Sequence, residues 1–268
     1  MRDLKDMIAS DIQLKLERAR THIDEFRTKA SNIRDGYCVI QPEEDQERKM
    51  TVMRITITPK APDELRLIAG DALFNMRAAL DYVVTHAVLS NPPHAPSRSN
   101  QFPIAQDAKS FRQIESRQLA GVPDEVRVIL ERLQPYHRGN EPLRILSKLH
   151  NPDKHRQLNL TAVVADSSHL QAFGGASPFS LVSDIPLCDG GIFGNIGIPW
   201  DLPEEFASVR TKSMNSRMEG ECTQFVGFSD LFDPDEEEEG FEAAEDTLES
   251  ILKYIERKVL PAVLPHLK

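Results

Sequence analysis

Gly70-Asp71-Ala72-Leu73-Phe74-Asn75-Met76-Arg77-Ala78-Ala79-Leu80-Asp81-Tyr82 mixes apolar and polar residues at the three-and-four spacing of a helix. The pattern continues on both sides. Leu65, Ile68, Ala69, Ala72, Leu73, Met76, Leu80, Val83, Val84 and Ala87 form an apolar stripe too wide for a surface helix. Pro62-Asp63-Glu64 supplies a helix start, with proline in the first turn and carboxylates where the helix dipole favours them. Asn91-Pro92-Pro93-His94-Ala95-Pro96 supplies the stop, because a helix cannot pass such a run. The stretch therefore predicts a long central helix with other elements packed around it.

On its N-terminal side, residues 3–34 read as a long amphipathic helix through Leu4, Met7, Ile8, Ile12, Leu16, Ala19, Ile23 and Phe26. Residues 37–40 and 51–58 are rich in β-branched side chains and predict a hairpin with a charged loop over 42–49. On the C-terminal side, helical spacing recurs at 107–118, 123–134 and 142–150. Asn151-Pro152-Asp153 resembles an N-cap with proline at the first helical position, which predicts a short restarted helix over 152–158. Residues 160–164, 179–182, 192–198 and 225–228 read as antiparallel strands between Gly, Pro, Asp and Ser clusters, and residues 241–260 as a last helix. The expected fold class is α+β: a helical bundle built around a long central helix, with an N-terminal hairpin and a C-terminal antiparallel sheet. Without a repeat or a long linker, the expected organisation is a single domain over 1–268, helical at about 60–158 and sheet-rich at about 159–232.

The 268 residues are 40% hydrophobic and 28% charged, an ordinary globular balance. No apolar run is long enough for a membrane-spanning helix, and residues 1–11 lack a signal-peptide core, so a cytoplasmic location without membrane attachment is expected. Cys38, Cys188 and Cys222 are widely spaced and read as reduced thiols rather than a disulfide or zinc set. No metal site and no cofactor are expected. Residues 201–268 hold 17 acidic and 7 basic side chains and so carry the whole formal charge of −10. Residues 127–156 are locally basic, through Arg127, Arg132, Arg138, Arg144, Lys148, Lys154 and Arg156, with His137, His150 and His155 among them. Such a window is either a solvated helical face or a phosphate-holding surface.

Two segments carry candidate chemistry. On the central helix Asp71, Asn75, Tyr82 and His86 fall along one side, with Arg77 and Asp81 as an i, i+4 pair. That polar edge serves either interhelical hydrogen bonding or ligand binding. In Asp153-Lys154-His155-Arg156, a histidine beside cations could act as a general base next to a bound phosphate, or the segment could simply cap a helix. Asp189-Gly190-Gly191 reads as a hairpin turn. The acidic run from Asp233 to Glu239 lacks the glycine and terminal glutamate of a calcium loop.

Gly-Asp-x-Leu-x-Asn-x-Arg-x-Ala-Leu-Asp at 70–81, Phe102-Pro103-Ile104, Leu133-Gln134-Pro135-Tyr136 and Asp153-Lys154-His155-Arg156 together resemble a family of uncharacterised bacterial proteins, over about residues 65–160. In such proteins a histidine often follows the aspartate of the first motif, giving a spacing similar to the arginine–histidine signature of HEPN-type ribonucleases. Tyr82 stands there in this chain. Arg132 to His137 and Arg144 to His150 offer looser matches, no more than composition alone produces. The basic window and the resemblance together point to a phosphate-handling protein with RNA or a nucleotide as partner: a metal-independent ribonuclease or nucleotide-binding enzyme with His155 and Arg77 as catalytic groups and Asp71, Asn75, Tyr82, His86, Lys154 and Arg156 binding substrate. The alternative is a non-enzymatic interaction protein whose acidic C-terminal quarter meets a partner protein.

Overall fold

The computed structural model describes residues 4–153, 158–166, 171–173, 187–201, 203, 217–231 and 242–267. The chain is α+β and divides into two compact units that interleave in sequence. The first comprises Met1–Arg27, Arg66–Leu158 and Ala244–Lys268; the second comprises Thr28–Leu65 and Asn159–Ala243.

The helical unit takes in most of α1 (Leu4–Ser31) and α2 (Asp63–Leu89), then α3 (Ala108–Gln118), α4 (Asp124–Arg132) and α5 (Glu141–Asp153). Helix α6 (Ala244–Tyr254), a π-helical turn (Ile255–Val259) and α7 (Leu260–Val263) complete it. The expected spacing on α1 is realised: Ile12, Leu16, Ala19, Ile23 and Phe26 are all buried. So is the α2 stripe, from Ile68 and Ala69 to Ala87 and Val88. Asp107 caps α3, its carboxylate accepting from Ser110 N at 2.7 Å. Helix α5 differs from expectation at its end. It continues through Asn151 and Pro152 to Asp153, so Asn151 lies inside this helix; residues 154–157 of the helix expected over 152–158 lie outside the described residues.

Residues 102–105 form an irregular segment held from two directions. Arg77 donates to Phe102 O at 2.7 Å and pairs with Asp81 at 3.0 Å, while Asp81 accepts from Phe102 N at 2.8 Å. The fully buried Gln134 accepts from Ala105 N at 2.9 Å and donates to Pro103 O and Leu130 O. Three of the four sequence motifs therefore meet in one set of hydrogen bonds that satisfies a backbone with no helix or strand of its own. Asn140 extends the arrangement. It donates to Arg132 O and Gln134 O and accepts from Tyr254 OH at 2.7 Å, which ties α6 to the turn after α4.

The second unit is built on one antiparallel sheet. Strands β1 (Asp35–Asp45), β2 (Met50–Thr58), β3 (Leu160–Asp166), β5 (Ile192–Pro199) and β6 (Arg217–Phe228) are ordered β3-β6-β1-β2-β5, and the short β4 (Gln171–Phe173) also pairs with β6. The hairpin and the later strands, read separately in the sequence, are thus one sheet: β6 pairs with β1 as well as β3. The hairpin pairing also runs further than expected, to Asp45 opposite Met50, leaving only 46–49 as a loop. Alternation places Cys38, Ile40, Ile55, Ile57, Met218 and Cys222 in one core with Ala162, Leu187 and Phe193. Burial pushes the Cys38 thiol up to about 12. Gly36 admits the Gln224 side chain, since a Cβ there would lie 2.9 Å from Gln224 Cδ. Gln224 in turn donates to Ile33 O and Pro59 O. Residues 179–182, expected as a strand, lie outside the described residues.

Replacing Gln134 by alanine leaves the Ala105 amide and the Pro103 carbonyl buried without partners. The expected loss is about 3 kcal/mol in urea unfolding, against well under 1 kcal/mol for alanine at the exposed Gln13.

Candidate functional site: a cleft between the first two long helices

Within the helical unit, α1 and α2 enclose a cleft of about 520 Å³. Asp11, Leu14, Lys15 and Arg18 line it from α1, and Asn75, Tyr82, Thr85 and His86 from α2. Residues 75, 82 and 86 are seven and four apart, so one edge of α2 presents all three. Residues 11, 14, 15 and 18 do the same on α1. The cleft is thus a product of two helical periodicities rather than of a loop.

Asn75 is buried and donates to Asp71 O at 2.8 Å, which turns its carbonyl oxygen outward to Lys15 Nζ at 3.5 Å. Lys15 also lies over the Phe74 ring, 5.7 Å from its centroid. The Tyr82 and His86 rings meet edge to face at 6.4 Å. Thr85 donates its hydroxyl to Asp81 O and keeps its lone pairs for another donor. Arg18 is exposed, with no ion-pair partner among the described residues. His86 is the most distinctive group: it is buried, and its Nδ1 has no hydrogen-bond partner. Burial holds its pKa below the ordinary histidine value, with the Asp11 carboxylate opposing the shift in part. The imidazole is therefore neutral at neutral pH.

The structure brings together Asn75, Tyr82 and His86 of the sequence candidates. Asp71 is exposed and contributes its backbone carbonyl to Asn75 rather than lining the cleft. Arg77 projects from the opposite side of α2, where its guanidinium holds Phe102 O and Asp81. Lys154, His155 and Arg156 lie outside the described residues. The α1 contribution of Asp11, Lys15 and Arg18 was missed by sequence reasoning. Its signal is present, since three charged residues sit at i, i+4 and i+7 on one edge of an amphipathic helix, but surface charge at such spacing is commonplace. Of the C-terminal acidic residues, Glu249 and Glu256 are engaged within the helical unit, Glu256 by Arg20 at 2.8 Å and Glu249 by Arg20 and Arg27. Residues 232–240 lie outside the described residues.

Among the described residues no group of three or more His, Cys, Asp or Glu is placed to hold a metal ion, and no helix is long and apolar enough to cross a membrane. No known protein family, curated protein or solved structure matches this chain.

Because the folded-state pKa of His86 lies below the unfolded value near 6.5, the unfolded chain binds more protons between the two. This residue's contribution is complete above pH 6.5 and is lost as the pH falls through the folded-state value. Unfolding curves of wild type and His86→Gln across that range are expected to show a shallower acid decline in the variant. NMR titration of the His86 ring should give a midpoint below that of the free amino acid.

Proposed function

We propose that the protein handles phosphodiesters of RNA in the cleft between α1 and α2. The observation that carries this reading is the placement of a buried neutral histidine, with an unpartnered ring nitrogen, in the same cleft as two cations. Lys15 and Arg18 supply positive charge for a phosphate, and Asp11 offsets only part of it. Tyr82 offers an aromatic face on which an unpaired base can stack, and Asn75 and Thr85 offer hydrogen-bonding groups for its edge or sugar. In metal-independent cleavage a base withdraws the 2′-hydroxyl proton, the 2′-oxygen bonds to phosphorus as the P–O5′ bond breaks, the departing 5′-oxygen takes a proton from water, and cations balance the charge gathering on the phosphate. His86 suits the first task and Lys15 with Arg18 the second.

The resemblance to uncharacterised bacterial proteins and to HEPN-type ribonucleases supports the same chemical class, and a bacterial cytoplasmic setting with it. His155, Lys154 and Arg156 belong to this proposal on the sequence alone. Arg77 enters it as the residue that fixes the 102–105 segment on α2. The reading also makes α2 the central helix of a bundle, supported by its long run of buried residues.

The test incubates the full-length chain with a short fluorescent single-stranded RNA in the absence of divalent metal. Binding is followed by anisotropy and cleavage by gel. Lys15→Ala and Arg18→Ala are each expected to weaken binding roughly tenfold, as loss of one charge-assisted hydrogen bond does. His86→Ala should bind and no longer cleave. Wild-type protein that neither binds nor cleaves the RNA, or alanine variants that bind as wild type does, would overturn the reading.

A further inference from the structure

Helix α2 leaves an apolar stripe uncovered. Leu67, Phe74, Tyr82 and Leu89 are 72%, 54%, 38% and 42% exposed although the helix is otherwise largely buried. Single exposed apolar side chains are ordinary; a row of them along one helix is not. The row also has internal symmetry. Counting outward from Ala78, Phe74 and Tyr82 lie four residues away on either side, Asp71 and Thr85 seven, and Leu67 and Leu89 eleven. At 100° per residue all seven fall within about 40° of the Ala78 direction. The stripe therefore reads leucine, polar, aromatic, alanine, aromatic, polar, leucine in both directions over about 33 Å.

We propose that this stripe is the interface of a homodimer in which two α2 helices pack antiparallel about a two-fold axis at Ala78. A two-fold interface requires one patch to complement itself, residue i meeting j and j meeting i. Here Phe74 of one copy meets Tyr82 of the other, Leu67 meets Leu89, and Asp71 meets Thr85. The small side chain of Ala78 lets the helices approach closely where they cross. The two Asp71 carboxylates stay about 21 Å apart, so no like charges face each other across the seam. With Leu14 of α1, which is 60% exposed, the apolar residues offer on the order of 500 Å² per copy. That is a large share of the roughly 800 Å² per partner of a standard interface. Asn75 and His86 lie on the flank of the stripe toward α1, outside the seam. The dimer is argued from exposure and spacing and not from the phosphate reading, but its seam takes up Tyr82 and Thr85, which also line the cleft, so a dimer and a base stacked on Tyr82 compete for the same ring.

Sedimentation velocity on the full-length chain tests it. Wild type is expected at twice the 30.2 kDa chain mass. Phe74→Glu and Tyr82→Lys are each expected as single chains, with helical circular dichroism unchanged because both positions are exposed. An equimolar mixture of the two should recover the dimer. One crossing then joins the introduced carboxylate to the introduced ammonium, and the other keeps its Phe74–Tyr82 pair. Leu67→Glu mixed with Leu89→Lys repeats the logic eleven residues from the axis. A single-chain mass for wild type, single variants that stay dimeric, or mixtures that fail to associate each overturn the proposal.

Discussion

The hydrogen bonds that Arg77, Asp81 and Gln134 direct onto residues 102–105 are the constraint around which the helical unit is organised. An irregular segment in a core leaves donors and acceptors that neither a helix nor a sheet will satisfy. Here α2 supplies partners at Phe102, and Gln134, two residues past α4, supplies them at Pro103 and Ala105, so the segment fixes two helices at once. The same demand explains why arginine and aspartate stand four apart on a helix that is otherwise largely apolar. What resembles a catalytic arginine in sequence is, in three dimensions, a side chain engaged with a backbone carbonyl.

Periodicity made much of the fold legible. Helices α1 and α2, with their buried faces, follow directly from apolar spacing, as does the hairpin of β1 and β2. Less was legible where long-range pairing decides the outcome. The partnership of β6 with β1 joins residues nearly two hundred positions apart, and local composition contains nothing that specifies it.

The candidate site was legible by half. One wall, Asn75, Tyr82 and His86, is visible because polar residues at helical spacing stand out on an apolar helix. The other wall is hidden because Asp11, Lys15 and Arg18 lie on a helix with many other charged residues on its outer face. Only the packing of α1 against α2 within the helical unit separates these three from their neighbours. Burial of His86 is likewise a property of that packing, and it converts an unremarkable histidine into a neutral imidazole whose Nδ1 has no hydrogen-bond partner.

The interleaving of the two units bears on synthesis. The sheet unit opens with Thr28–Leu65 but must wait for Asn159–Ala243, and the helical unit closes only when Ala244–Lys268 has left the ribosome. Until then Asn140 lacks Tyr254 and Arg20 lacks Glu256. The helical unit therefore cannot complete its packing before residues 244–267 are made, and the helices that precede them carry apolar faces uncovered until then.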